Sequence, residues 1–207
     1  ASLRNVDYFL SHTMVSVEMK NGRIHAVNAI ETANGTLKRF TADQFIDSTG
    51  DGWVGYMAGA DFRYGRESKH EFNEGWDEHG ELWSPEKPDN RVMGSSVMWY
   101  TRKTDSRVDF PAVPWAKPVA NNHVATEGEW QWEYSHNDLH QIHDAETIRD
   151  HMFRAIYGSY SNAIKHRQNA NIELDWISFL VGKRESRRII GDHIFTGIDA
   201  RDSIEFP

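Results

Sequence analysis

The chain contains no cysteine among its 207 residues. Disulfides, thiolate metal sites and a cysteine nucleophile are therefore excluded, whatever the compartment. Proline is scarce at six, and no uninterrupted apolar run approaches the ~20 residues of a membrane-spanning helix. Basic residues are outnumbered, with 23 Lys and Arg against 31 Asp and Glu, so the formal charge is −8. Nucleic-acid binding needs a basic footprint to displace counterions, and an acidic surface argues against it. GxSxG, HExxH, phosphate-loop and calcium-loop patterns are absent as well. No secretory signal is visible. Ala1-Ser2-Leu3 lacks an initiator Met and Ile204-Glu205-Phe206-Pro207 closes on no element, which points to a piece of a longer protein.

Aromatic residues are what the chain has in quantity: eight Trp, seven Tyr and ten Phe, within 39% hydrophobic residues. That suffices for one sizeable core, or for one domain and a smaller lobe. Residues 8–47 read as a three-stranded antiparallel meander. Tyr8 to Met19 alternates and is rich in β-formers, Lys20-Asn21-Gly22-Arg23 is a hairpin turn, and Ile24 to Thr32 is a second strand. Ala33-Asn34-Gly35-Thr36 turns the chain again into a third strand from Leu37 to Asp47. Trp53 to Ala60 then reads as a helix.

Beyond residue 60 the pattern changes. Residues 61–91 carry charges and turn formers around Phe62, Tyr64, Phe72, Trp76 and Trp83, which predicts a long irregular excursion packed on other elements. Val92 to Lys103 returns to strand character, and Pro111, Pro114 and Pro118 break the chain around Trp115. Glu129 to Tyr134 alternates aromatic with polar residues, as a half-buried strand does. Asp144 reads as an N-cap, and Ile148, Met152, Ile156, Tyr160 and Ile164 recur every four residues. This predicts one long amphipathic helix over 144–166, followed by a strand from Ile172 to Val181. The expected class is α+β, a meander plus a larger, mostly antiparallel sheet packed by that helix. Domain boundaries are expected at 1–60 and 61–207.

Three constellations carry possible chemistry. Phe45-Ile46-Asp47-Ser48-Thr49-Gly50-Asp51-Gly52 is a strand, a tight glycine turn and a helix start, where backbone can approach a ligand closely. Thr49, Gly50 and Asp51 there fit either the phosphates or ribitol of a dinucleotide, or an ordinary turn with Asp51 capping the helix. Gly182-Lys183-Arg184-Glu185-Ser186-Arg187-Arg188 concentrates cations in an acidic chain. Its arginines fit a substrate carboxylate or phosphate, or developing charge beside a cofactor; a salt-bridged strand with Glu185 as partner is the plainer reading. His136, His140 and His143 have helical spacing, but they precede the Asp144 cap with no carboxylate ligand placed beside them, so no metal is expected.

Taken together, the Phe45–Gly52 stretch, Gly55-Tyr56-Met57-Ala58-Gly59-Ala60, Tyr64-Gly65-Arg66-Glu67, Asp144-Ala145-Glu146-Thr147-Ile148-Arg149 and Gly182–Asp192 resemble bacterial FAD-dependent oxidoreductases of the glutathione-reductase-like type. The likeness extends over nearly the whole chain. It implies a Rossmann-like FAD domain interrupted by a substrate domain, with 1–60 on the FAD side and most of 61–191 in the substrate lobe. Met14 and Val15 would then meet the adenine through backbone, and Thr49, Gly50 and Asp51 would lie along the FAD. Arg184, Glu185 and Arg187 would be the catalytic candidates, facing flavin or a small-molecule substrate. The GxGxxG fingerprint that receives the pyrophosphate is missing from these residues, so the chain by itself is expected to hold FAD poorly and to be inactive alone. A different class, a non-enzymatic carbohydrate-binding or interaction module, is suggested by Trp76, Trp83, Trp99, Trp115, Trp130 and Trp132 if they are exposed.

Overall fold

The computed structural model describes residues 5–74, 83–128 and 132–205. The elements in chain order begin with β1 (His12–Lys20), β2 (Arg23–Glu31), β3 (Leu37–Phe40), α1 (Trp53–Met57) and β4 (Phe62–Arg63). Then come β5 (Ser95–Ser96), β6 (Trp99–Lys103), α2 (Lys117–Ala120), β7 (Glu133–Tyr134) and α3 (Ala145–Ala163). The last are β8 (Ile172–Ile177), β9 (Arg188–Ile189) and α4 (Gly197–Asp202). The class is α+β. No described helix is long and apolar enough to cross a membrane. The chain forms two compact units, one of Ala1–Tyr64 with Arg187–Pro207, the other of Gly65–Ser186.

The first unit is built on the meander, in the order β1-β2-β3. Asn21 and Gly22 both take positive φ, at 51° and 72°, which is the two-residue turn that suits the twist of a hairpin. The ladder is not regular: register shifts between Met14 and Ser16, leaving Val15 as a bulged residue on the edge strand. Asn28 donates to Ser16 Oγ at 3.1 Å and to Glu18 Oε1 at 3.0 Å, and Arg39 Nη2 meets Glu18 Oε2 at 2.8 Å. One carboxylate thus joins all three strands, and the Arg39 and Asn28 hydrogen bonds hold its pKa down at about 2. The third strand ends at Phe40, short of the expected Asp47, so residues 41–52 reach α1 as loop. Helix α1 is likewise shorter than expected, because Ala58 caps it and Gly59 turns left-handed at φ 81°.

The second unit owes its core to α3. Ile148, Met152, Ile156 and Tyr160 are all buried on one face and pack with Val97, Trp99 and Tyr134. Each such side chain contributes roughly 1.5–3 kcal/mol by leaving water. Tyr160 does more than fill space: its hydroxyl donates to Ile172 O at 2.8 Å and accepts from Leu174 N at 3.1 Å, tying the helix to β8. Asp144 stands at the N-cap position but bonds no helical N–H; its carboxylate accepts from His140 N at 2.8 Å instead. The antiparallel pairing around this helix is divided between two-stranded ladders, β5-β7 and β6-β8, joined through Ser96–Gly182 and Trp99–Gly128 bridges. Of the alternating stretch 129–134, residues 129–131 lie outside the described residues, and Glu133 and Tyr134 form β7.

Gly158 lets α2 and α3 approach. A Cβ there would stand 2.3 Å from the Cβ of Ala120, closer than any real contact. Replacing Gly158 by Ala is expected to destabilise this unit by about 1–3 kcal/mol, although alanine is the better helix former. Urea unfolding followed by far-UV circular dichroism measures it; an unchanged or raised midpoint would show that the helices can separate at no cost.

Candidate functional site

The turn after the meander is held by Asp47. Its Oδ1 accepts from Thr49 N at 3.0 Å and Thr49 Oγ1 at 2.7 Å, while Oδ2 accepts from Gly55 N at 3.0 Å. Thr49 Oγ1 in turn accepts from Trp53 N at 2.8 Å. The first turn of α1 is therefore capped by Asp47 and Thr49. Partial burial alone would raise the Asp47 pKa, but hydrogen bonds from Gly55 and Thr49 outweigh it and hold the carboxyl below its ordinary value. Gly50 and Gly52 complete the turn with φ of 83° and 63°.

Asp51 serves the turn differently, through its backbone. It is buried, and its carbonyl accepts from Arg187 Nη1 at 3.1 Å. Arg187 is only 7% exposed, and its guanidinium lies among three rings, 3.9 Å from the centroid of Tyr56, 4.4 Å from Trp53 and 5.7 Å from Phe62. Planar, weakly hydrated guanidinium suits such stacking better than an ammonium. The neighbouring β9 pairs Ile189 with Phe62 of β4, which brings the arginine under those rings.

The other two charged candidates belong to the second unit. Arg184 forms an ion pair with Glu133 of β7, and Glu185 Oε2 accepts from Met93 N at 2.6 Å. Arg184, Glu185 and Arg187 are each engaged with the protein, and the compact units divide them. Met14 and Val15 lie on β1, where the bulge and the sheet edge leave backbone groups for a ligand.

A set of residues that spacing did not bring together lines a cavity of about 670 Å³ in the second unit. His136 stands there with His123 and His151, while His140 turns its Nδ1 to the backbone of Ile142 and His143. Tyr134 packs its ring 5.1 Å from His151 and 5.7 Å from His136, and its hydroxyl donates to Asp138. Burial, and then that bond, pushes the tyrosine pKa up to about 12. Burial and the adjacent His136 lower the pKa of His151, against the opposing pull of Asp138. Trp132 forms a further wall, 5.5 Å from His123. Nothing in the sequence relates His123, Trp132 and His151; only the α3–β7 packing does. Among the described residues no group of three or more His, Asp or Glu is placed to hold a metal.

Residues 2–207 match the sequence family described as FAD dependent oxidoreductase. The chain belongs to that family. No curated protein and no solved structure matches it. FAD is the family's cofactor, and the opening turn fits part of it. Nothing lies within 4 Å of a Cβ built on Gly50, so a ligand can approach that backbone closely. The start of α1 does not suit phosphate, because the Asp47 carboxylate already accepts from Gly55 N and brings negative charge there. The turn therefore suits the uncharged, hydroxyl-bearing part of the cofactor.

Two outcomes follow from this geometry. Arg187→Lys keeps the charge but loses the fork and the stacking, and is expected to destabilise the first unit by about 2 kcal/mol. Trp53 is the single tryptophan of that unit, so comparing urea transitions with and without Trp53→Phe reports it. Asp47→Ala should cost about 1 kcal/mol at neutral pH. A carboxyl whose pKa is depressed on folding stabilises above its unfolded pKa of about 4 and loses that contribution as pH falls through the lower folded value. The gap between wild type and Asp47→Ala in urea midpoint should accordingly close on acidification; a constant gap would assign the loss to packing.

Proposed function

We propose that the chain contributes part of the flavin site and the substrate lobe of an FAD-dependent oxidoreductase of the glutathione-reductase-like type. The family match carries the class, and the open Gly50 turn is the structural observation that favours the flavin-side role. Thr49, Gly50 and Asp51 would hold hydroxyl-bearing parts of FAD through backbone, and Met14 and Val15 would meet the adenine at the edge of β1. When bound, FAD supplies the hydride chemistry, and the protein supplies orientation and electrostatics. Arg187 acts as a positioning residue, since its guanidinium sets the Asp51 carbonyl from beneath. Arg184 and Glu185 stand at the substrate lobe, where the Arg184–Glu133 pair borders the histidine-lined cavity.

The module reading loses its broadest support in Trp99, which is 1% exposed and belongs to the core. Trp83 and Trp115 are exposed, whereas Trp76 and Trp130 lie outside the described residues.

With no phosphate cradle at α1, the chain alone should bind FAD weakly and lose it on desalting. Added FAD should still shift the backbone amide resonances of Thr49, Gly50, Asp51, Met14 and Val15 ahead of others. Tight stoichiometric binding, read from the visible flavin band, would overturn the weak half-site; shifts that bypass these residues would overturn the assignment.

A further inference from the structure

The cavity beneath β7 has a donor–acceptor pattern that specifies a ligand class. Three imidazoles, those of His123, His136 and His151, face it, and among the described residues none of them makes a hydrogen bond. A neutral imidazole offers one N–H donor and one acceptor nitrogen. Ser135 adds a hydroxyl that both donates and accepts. Such paired functions match a ligand whose polar groups are themselves both donor and acceptor, as hydroxyls are. A carboxylate, which only accepts, would leave half of the pattern unmet.

Charge points the same way. The carboxylate lining the cavity, Glu133, is neutralised by its ion pair with Arg184. Asp138 receives the Tyr134 hydroxyl. Among the described residues no lysine or arginine lines the space, and burial lowers the pKa of His151, which favours its neutral ring. An anionic ligand would meet no lysine or arginine among those lining residues, and a cationic one would have to compete with Arg184. The walls are rings, Trp132 and Tyr134, with Met152 and Ala155 beneath. Flat aromatic surface beside many dual-function polar groups suits a ring with C–H faces and a hydroxylated rim.

We infer that this cavity binds a neutral, ring-shaped polyhydroxylated molecule of the sugar or cyclic-polyol class, through His123, His136, His151 and Ser135, with Trp132 against its face. The proposal rests on the oxidoreductase reading only in calling that molecule the substrate. A secondary alcohol on such a ring is an oxidisable group, and a neutral His151 would be suited to accept its hydroxyl hydrogen bond. The pH dependence of binding involves His136, Asp138, Asp150 and Arg154, whose charges act on His151.

The test is a binding experiment on the whole chain without FAD, so its failure leaves the flavin assignment untouched, and failure of FAD binding leaves this one untouched. Methyl glucoside is the probe, with glucuronate as the charged counterpart and phenol as the apolar ring. Methyl glucoside should bind saturably, move the imidazole nitrogen resonances of His123, His136 and His151, and quench part of the tryptophan emission; Trp132→Phe should remove that quench. His151→Gln and His136→Gln should each weaken binding about tenfold, the loss of one hydrogen bond. Should His151→Gln fail to fold by circular dichroism, His136→Gln decides, since His136 is exposed. Glucuronate should bind no tighter than the glucoside. The inference is overturned by non-saturable glucoside binding, by equal affinity in the folded histidine variants, by tighter glucuronate or by tighter phenol.

Discussion

A single buried arginine holds the glycine turn before α1 in place. Arg187 and Asp51 are 136 positions apart in sequence, yet the arginine donates to the Asp51 carbonyl and lies against Trp53, Tyr56 and Phe62. Burying a charge this thoroughly is costly unless its surroundings compensate. Three ring faces and a backbone carbonyl do so here. The consequence is that the left-handed turn at Gly50 and Gly52, the short α1 and the β4–β9 ladder stand or fall together. The residues that return to this unit after the excursion of Gly65–Ser186 thus support the turn from a distance in sequence.

Division of labour among the charged residues follows the same principle. Asp47 spends its carboxylate on the first turn of α1 and brings negative charge there. Arg184 is paired with Glu133 and so leaves the neighbouring cavity without net charge. Three residues of the run that look like one cluster in the sequence do three different things: Arg184 pairs across to β7, Glu185 accepts from Met93, and Arg187 stacks in the first unit. Proximity along the chain says little once a strand boundary intervenes.

The second unit follows a more ordinary logic. The α3 stripe collects Val97, Trp99 and Tyr134 into a core, and Tyr160 converts that packing into register by bonding the backbone of β8 at two points. The same helix sets His151 opposite Tyr134 and His136. Its buried face builds the core and its flank builds the cavity wall.

Local signals proved legible where a short-range rule decides the outcome. The Asn21-Gly22 turn, the antiparallel meander and the four-residue periodicity of Ile148, Met152, Ile156 and Tyr160 are properties of neighbouring residues, and the α+β class follows from them. Membership of the FAD-dependent oxidoreductase family was also legible, and the family match spans residues 2–207. The part played by Asp47 in capping α1 was not, because its carboxylate reaches eight residues forward to Gly55. Nor was the cavity: spacing along the chain relates neither His123 nor His151 to His136, which lines the cavity with them. The sequence by itself determined the elements and the chemical class of the protein. Tertiary structure alone decided which charges are compensated and which polar groups face a common space, because both depend on contacts between residues far apart along the chain.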